Sequence, residues 1–183
     1  MFEKRLESDQ IYLRLMEITD TDKIIAWRNK DRVRNNFIYQ KPFTKEGHMN
    51  WIRTQIEPGH VVQFIICEKS DNRDVGSVYL RDIDRENGIA EYGIFIGEED
   101  ALGKGYGTQA AELVLAYAFE RLKLQTVFLR VFADNIGARR SYEKAGFKLL
   151  AEKQETVFLN EAEREIVFYA VIGKVWLQHE SVG

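Results

Sequence analysis

Five glycines fall within fifteen residues of this chain: Gly93, Gly97, Gly103, Gly105 and Gly107. Ile94-Phe95-Ile96 reads as the end of a strand, and Thr108-Gln109-Ala110-Ala111 reads as helix. Between them lies Leu102-Gly103-Lys104-Gly105-Tyr106-Gly107. A strand that feeds a glycine-rich turn and then a helix gathers backbone N–H groups in one concavity, with the positive end of the helix dipole behind them. Such a unit holds an anion, and phosphate or pyrophosphate is the expected one. A plain strand-to-helix turn is the competing reading, but three alternating glycines around a lysine favour the anion site.

The rest of the chain supplies an α/β frame for this loop. Ile11, Leu13 and Leu15 alternate with polar or exposed positions as a half-buried strand does. Ile18 before Thr19-Asp20-Thr21-Asp22 is a helix start, and the helix carries Ile24, Ile25 and Trp27, then Val33 and Phe37. A second helix is expected from Thr44 to near Pro58-Gly59. Three strands of a meander follow over 61–67, 75–81 and 89–96, the last two joined by a turn that contains Asn87-Gly88. Helix over 108–122, strand over 126–132, helix over 136–145 with Gly146 as its stop, and strands over 148–158 and 165–172 complete the order β-α-α-β-β-β-α-β-α-β-β. This is a mixed α/β domain, expected as a single unit over 1–183 with its core over about 10–172.

Composition removes several function classes. One cysteine, Cys67, excludes an intrachain disulfide and a multi-cysteine zinc site, and no metal is expected. A net charge of −3 argues against nucleic acid or an anionic membrane as partner, and mildly favours cationic ligands by steering. Met1–Gln10 carries charges throughout and no stretch approaches a membrane span, so a cytoplasmic protein is expected.

Two phosphate motifs can be compared with the loop. The Walker pattern is absent. Gly105-Tyr106-Gly107-Thr108-Gln109-Ala110 formally meets the dinucleotide pattern, with Asp134 as an acid after the next strand, so a nicotinamide-dependent oxidoreductase is a second reading. Against it, six residues separate these glycines' turn from the strand, and that strand belongs to a meander.

A second cluster follows the 126–132 strand: Asn135-Ile136-Gly137-Ala138-Arg139-Arg140-Ser141-Tyr142-Glu143-Lys144-Ala145-Gly146-Phe147. Asp134 or Asn135 can cap the helix, and Ala138 and Tyr142 share one face. Arg139, Arg140 and Lys144 make the helix locally positive in an acidic chain. This segment resembles the Asn-x-x-Ala-x-x-x-Tyr-x-x-x-Gly-Phe pattern of the GNAT superfamily of acetyl-CoA-dependent N-acetyltransferases, without mismatch. Leu102–Gly107 is similar to that superfamily's Arg/Gln-x-x-Gly-x-Gly/Ala pattern, with Leu102 where Arg or Gln is usual. The opening strand, Trp27-Arg28-Asn29 and the C-terminal hairpin resemble the branch that acetylates ribosomal-protein N-termini. The same tryptophan motif with His48 and Trp51 also resembles an amino-sugar branch.

The resemblance implies a GNAT fold and acetyl-CoA as co-substrate. The CoA pyrophosphate would sit on the backbone of Gly103, Lys104, Gly105, Tyr106, Gly107 and Thr108, beside Leu102. The pantetheine arm would add like a strand to the edge through Ile94, Phe95 and Ile96, with Gly93 leaving room beside it. Asn135, Ala138 and Arg139 would line the far side of the cofactor. Backbone near Ile94 would meet the developing oxyanion. Tyr142 would be the general acid for the departing thiolate, and Glu91, by alternation on one face with Gly93 and Phe95, the base through water. A packing tyrosine and a solvent-facing glutamate are the plainer readings of those two residues. Trp27, Arg28, Asn29 and His48 would shape the acceptor pocket, although Trp27 reads first as core and His48 as surface. The acceptor is a primary amine: a protein N-terminus, a polyamine or an amino sugar. A non-catalytic CoA-binding sensor keeps the same fold without turnover. Cys67 reads as a buried small hydrophobe, and Val175-Trp176-Leu177 as a tail anchor or a homodimer contact.

Overall fold

The computed structural model describes residues 5–181; residues 1–4 and 182–183 of the expected unit lie outside the described residues. Eight strands form one sheet: β1 (Leu6–Glu7), β2 (Ile11–Leu15), β3 (Val62–Glu68), β4 (Asp74–Asp84), β5 (Ile89–Ile96), β6 (Thr126–Phe132), β7 (Lys148–Leu159) and β8 (Ala162–Ile172). Their spatial order is β1-β2-β3-β4-β5-β6-β8-β7. Neighbours are antiparallel except β5 and β6, which run parallel. A parallel pair needs a crossover, and α4 (Tyr106–Ala116) supplies it. The other helices are α1 (Thr21–Arg28), α2 (Asp31–Arg34), α3 (Lys45–Trp51), α5 (Ile136–Ala145) and α6 (Gly173–Glu180). The mixed α/β class is borne out. Among the described residues no helix is long and apolar enough to cross a membrane.

The alternation read along β5 sorts its side chains between two cores. Ala90 and Tyr92 face the larger core with Ala110, Ala111, Val114 and Leu115 of α4 and Tyr142 and Phe147 of the α5 segment. Phe95 faces the smaller core with Ile24 and Trp27 of α1 and Val33 of α2. Glu91 and Gly93, in register with Arg81 and Tyr79 of β4, share the face of Phe95. Helices therefore cover both faces of the sheet, and the middle of β5 is accessible to both.

The pairing between β5 and β6 is short. Only Ile89, Ala90 and Glu91 lie opposite Thr126, Val127 and Phe128. β5 continues to Ile96 and β6 to Phe132, so the strands part beyond Glu91 and leave a gap within the sheet.

Three local expectations are revised. The helix read from Thr21 through Phe37 breaks after Arg28 and restarts at Asp31. The Asn29 side chain accepts from Phe43 N–H at 2.7 Å and donates to Phe43 C=O at 2.9 Å, which fixes the break against the following loop. The helix after the glycines starts at Tyr106, with Gly105 as its cap at φ +81°, not at Thr108. Gly173–Glu180 form α6: Trp176 is buried, packs on Phe119 at 5.9 Å and donates Nε1–H to Ala145 C=O at 3.1 Å. Trp176 is thus used inside the chain as an anchor, and of that segment Val175 is left exposed.

Candidate active site

The gap between β5 and β6 opens into a cleft of about 1010 Å³ that runs from the glycine loop, past Tyr142, to the α1–α3 side of the sheet. Leu102, Gly103, Gly105, Tyr106, Gly107 and Thr108 line its first end. Gly103 and Gly105 adopt φ of +73° and +81°, a backbone that glycine takes without strain. A Cβ at Gly103 would meet nothing within 4 Å, so the loop's surface is bare backbone. The first turn of α4 has no intrahelical acceptors for its N–H groups, and Gln109 is the first to reach back, to Gly105 C=O at 3.2 Å. Donors, a helix N-terminus and open space make this loop fit a diphosphate.

Lys104 does not bring its charge to that loop. Its Nζ lies 3.1 Å from Glu68 Oε1, which also accepts the Tyr106 hydroxyl at 2.9 Å. Glu68 is buried and bound by Arg73 as well, so it draws both side chains to the outer side of the loop. Lys104 and Tyr106 thus turn their side-chain charge and hydroxyl away from the anion end.

α5 forms the opposite wall. Asn135 caps it, accepting from Ala138 N–H at 3.3 Å, and both residues line the cleft. Asp134 is instead held by Arg164 at 2.9 Å. Arg139 is turned away from the cleft, a correction to the expected contact: it donates to Ala133 C=O at 2.7 Å and to Tyr169 Oη at 3.0 Å, pinning the β6–α5 turn. The positive charge on this wall comes from Arg140 and Lys144. Thr108 and Ser141, 3.2 Å apart through their hydroxyls, join the two walls.

Tyr142 stands between the two ends. It is nearly buried and packs edge-on against Tyr92 at 6.0 Å and Phe147 at 5.9 Å. Burial, with a lesser contribution from Tyr79, pushes its phenol well above the ordinary tyrosine range. The hydroxyl therefore stays protonated across the neutral range and can only donate its hydrogen or accept one.

On the far side, Glu91 is neither solvent-facing nor free. It is 7% exposed and lines the cleft. Its Oε2 accepts from Arg81 Nε and Nη2 at 3.1 and 2.8 Å, and its Oε1 from Arg130 Nε at 2.8 Å. The two arginines come from the strands on either side of β5, so the carboxylate ties the parting strands together where their pairing ends. Tyr79 lies beside them; its ring fills the space above Gly93 that was expected to receive the cofactor arm.

Of the four expected acceptor residues, Arg28 and His48 line the cleft and Trp27 and Asn29 do not. Trp27 is core: it is 2% exposed, donates Nε1–H to Glu98 at 2.6 Å, and its indole occupies the space of any side chain at Gly97. Asn29 is spent on the Phe43 backbone. His48 is buried rather than on the surface, with Nδ1 3.1 Å from Thr21 Oγ1 and Nε2 without a partner. Tyr79, Arg81 and Arg130 were not read from the sequence. A glycine in mid-strand signals that a neighbour approaches closely, and Gly93 opposite Tyr79 is that signal. The arginines sit at ordinary strand positions and give none.

These features meet a known pattern. Residues 10–148 match the model of the Acetyltransferase (GNAT) domain. The chain is 32% identical over 168 residues to the probable N-acetyltransferase YjcK of Bacillus subtilis, covering 85% of this chain and 90% of that one. It is 25% identical to the putative ribosomal N-acetyltransferase YdaF of the same organism, covering 92% and 94%. In fold it is similar to the spermidine N-acetyltransferase of Vibrio cholerae solved with CoA and spermine, with a TM-score of 0.84 at 22% identity over 93% of this chain and 99% of that one. The oxidoreductase reading of Gly105–Ala110 gives way to this family match. The chain belongs to the GNAT family of acetyl-CoA-dependent N-acetyltransferases.

Proposed function

We propose that the cleft moves the acetyl group of acetyl-CoA directly to a primary amine while both are bound, with residues 10–172 as the catalytic unit. The observation that carries this reading is the gap beyond Glu91, which runs from an anion-holding loop to a second, differently lined end with Tyr142 between them. In this reading the backbone of Gly103 to Thr108 holds the diphosphate, and Leu102, Asn135 and Ala138 flank it. Backbone of Ile94 to Ile96 on the side away from β4, where Arg32 already meets the Ile96 carbonyl, bonds the pantetheine amides as an added strand.

Acetyl-CoA supplies an acyl group on a good leaving group. The amine nitrogen bonds to the carbonyl carbon, the carbon–sulfur bond breaks, the nitrogen loses a proton and the sulfur gains one. A backbone N–H near Ile94 donates to the carbonyl oxygen as charge builds there. Tyr142 donates its hydroxyl hydrogen to the departing sulfur; its raised pKa makes it a hydrogen-bond donor first and a full proton donor second. Glu91, although held by four guanidinium contacts, takes the amine proton through a water in this reading. Holding both reactants in one cleft supplies the proximity that the step requires.

Thiol release from acetyl-CoA across an amine panel tests the reading. Tyr142→Phe is expected to lose about a hundredfold in kcat, within the usual range for removing an acid–base group, with the affinity for acetyl-CoA kept. An unchanged rate removes Tyr142 from the role. Tight binding of acetyl-CoA with no turnover of any amine leaves the chain a CoA sensor.

A further inference from the structure

The acceptor end of the cleft carries cations that no carboxylate among the described residues answers. Arg28, in the last turn of α1, is 5% exposed. Its guanidinium lies over the rings of Phe37 at 3.6 Å and Phe43 at 4.4 Å, and nears Phe95 at 5.9 Å. Its Nη2–H reaches the Tyr39 C=O only at a long 3.5 Å, and Nη1 is buried without an acceptor among the described residues. Arg32 of α2, also on the cleft, donates Nη2–H to Ile96 and Gly97 carbonyls at 3.1 Å each and meets no carboxylate among the described residues. The carboxylate that does line the cleft, Glu91, is already shared by Arg81 and Arg130.

A buried guanidinium without a counter-ion is an unmet demand for negative charge. Aromatic faces soften it but do not supply an oxygen. Burial lowers the pKa of Arg28 only to about 10, so the side chain remains a cation at neutral pH. A polyamine entering here would set further positive charge against Arg28 and Arg32. A carboxylate would give the free N–H groups their acceptor. The local sign of the cleft thus opposes the cationic steering read from the net charge.

Building on the acetyltransferase reading, we infer that the preferred acceptor is a primary amine that also carries a carboxylate, bound through Arg28 and Arg32. The carboxylate belongs either to a free amino acid or to an acidic side chain near a peptide N-terminus. Both sources share the chemistry that the arginines recognise.

The test compares acceptors that differ only in that group, at saturating acetyl-CoA. Glutamate is set against glutamine α-amide, which carries no carboxylate, the peptide Ala-Glu-Ala-amide against Ala-Gln-Ala-amide, and spermidine serves as the cationic arm. Within the pair that matches the natural source, the acid is expected to have a kcat/KM roughly ten- to a hundredfold above its neutral partner, the range for a hydrogen bond to a charged group. Arg28→Met and, independently, Arg32→Gln should shrink that ratio. Isothermal titration with acetyl-CoA reports whether each variant keeps its fold. A preference for spermidine or for the amides overturns the inference, as does an acid-to-amide ratio that neither variant changes. Failure of every acidic amine while acetyl-CoA binds also overturns it. Failure of acetyl-CoA to bind the wild-type chain overturns the acetyltransferase reading instead.

Discussion

The ring of Tyr79 occupies the volume that a side chain at Gly93 would need, directly across the β4–β5 pair. Gly93→Ala would place its methyl group far inside contact distance of the phenol, so either the ring or β5 has to move. The expected cost is about 1–3 kcal/mol of stability, the range for overpacking a filled site. Urea denaturation measures it. Tyr79→Ala in the same chain should recover part of the loss, and strictly additive effects would show that the two residues do not compete for this space.

Glu91 is bonded to arginines on both flanking strands. Glu91→Gln keeps the shape and removes the charge. Arg130 then loses its counter-ion, and Arg81 keeps only Asp82 at 3.5 Å. Because Arg81 and Arg130 are a third and a quarter exposed, the loss is set below that of a fully buried pair, at about 1–3 kcal/mol. The urea midpoint should fall, and an unshifted midpoint would leave Glu91 without a part in joining the strands.

Acid should weaken the fold through His48. Burial lowers its imidazole pKa below the usual 6.5. The unfolded chain therefore takes up its proton at higher pH than the folded chain does. The contribution is fully present above about 6.5 and is lost as pH falls from there through the folded value. Urea midpoints measured from pH 8 downward should hold level and then decline below 6.5. His48→Asn, which keeps a partner for Thr21, should flatten that decline.

Cys67 should be inert in the native chain. It is fully buried, its Sγ lies 3.0 Å from Asp74 Oδ1, and burial followed by the Asp74 carboxylate pushes the thiol up to about 12. The thiolate is the reactive form. Iodoacetamide should label the chain in denaturing urea quickly and the native chain hardly at all. Comparable rates would place Cys67 at the surface.

The parts of the fold legible in sequence are those with local causes. Glycines after a strand specify a positive-φ loop, and alternation along Ile89–Ile96 assigns each side chain to its core before any neighbour is known. The Asn135–Phe147 run announces its helix through a cap, a shared face and a glycine stop. What stayed hidden depends on partners distant in the chain. Arg139 and Arg140 are adjacent cations, and only the Tyr169 hydroxyl on β8 decides which of them turns from the cleft. Lys104 beside two glycines reads as a phosphate ligand until Glu68 on β3 claims it. The break after Arg28 is set by a loop fourteen residues on, through Asn29 and Phe43. The cationic far end of the cleft is assembled from four segments, none of them basic enough to stand out alone.

The three-residue pairing of β5 with β6 has a thermodynamic consequence. Beyond it, β5 faces an opening on that side and pairs with no strand among the described residues. In the proposed reading, a bound molecule bearing amides at strand spacing would complete the ladder there, so that its binding and the last step of the protein's own sheet formation become one equilibrium. Affinity at this site is then a function of strand twist. Substitutions that alter how far β5 and β6 diverge will change it without touching the ligand, and saturation with that ligand will slow amide hydrogen exchange well outside its footprint.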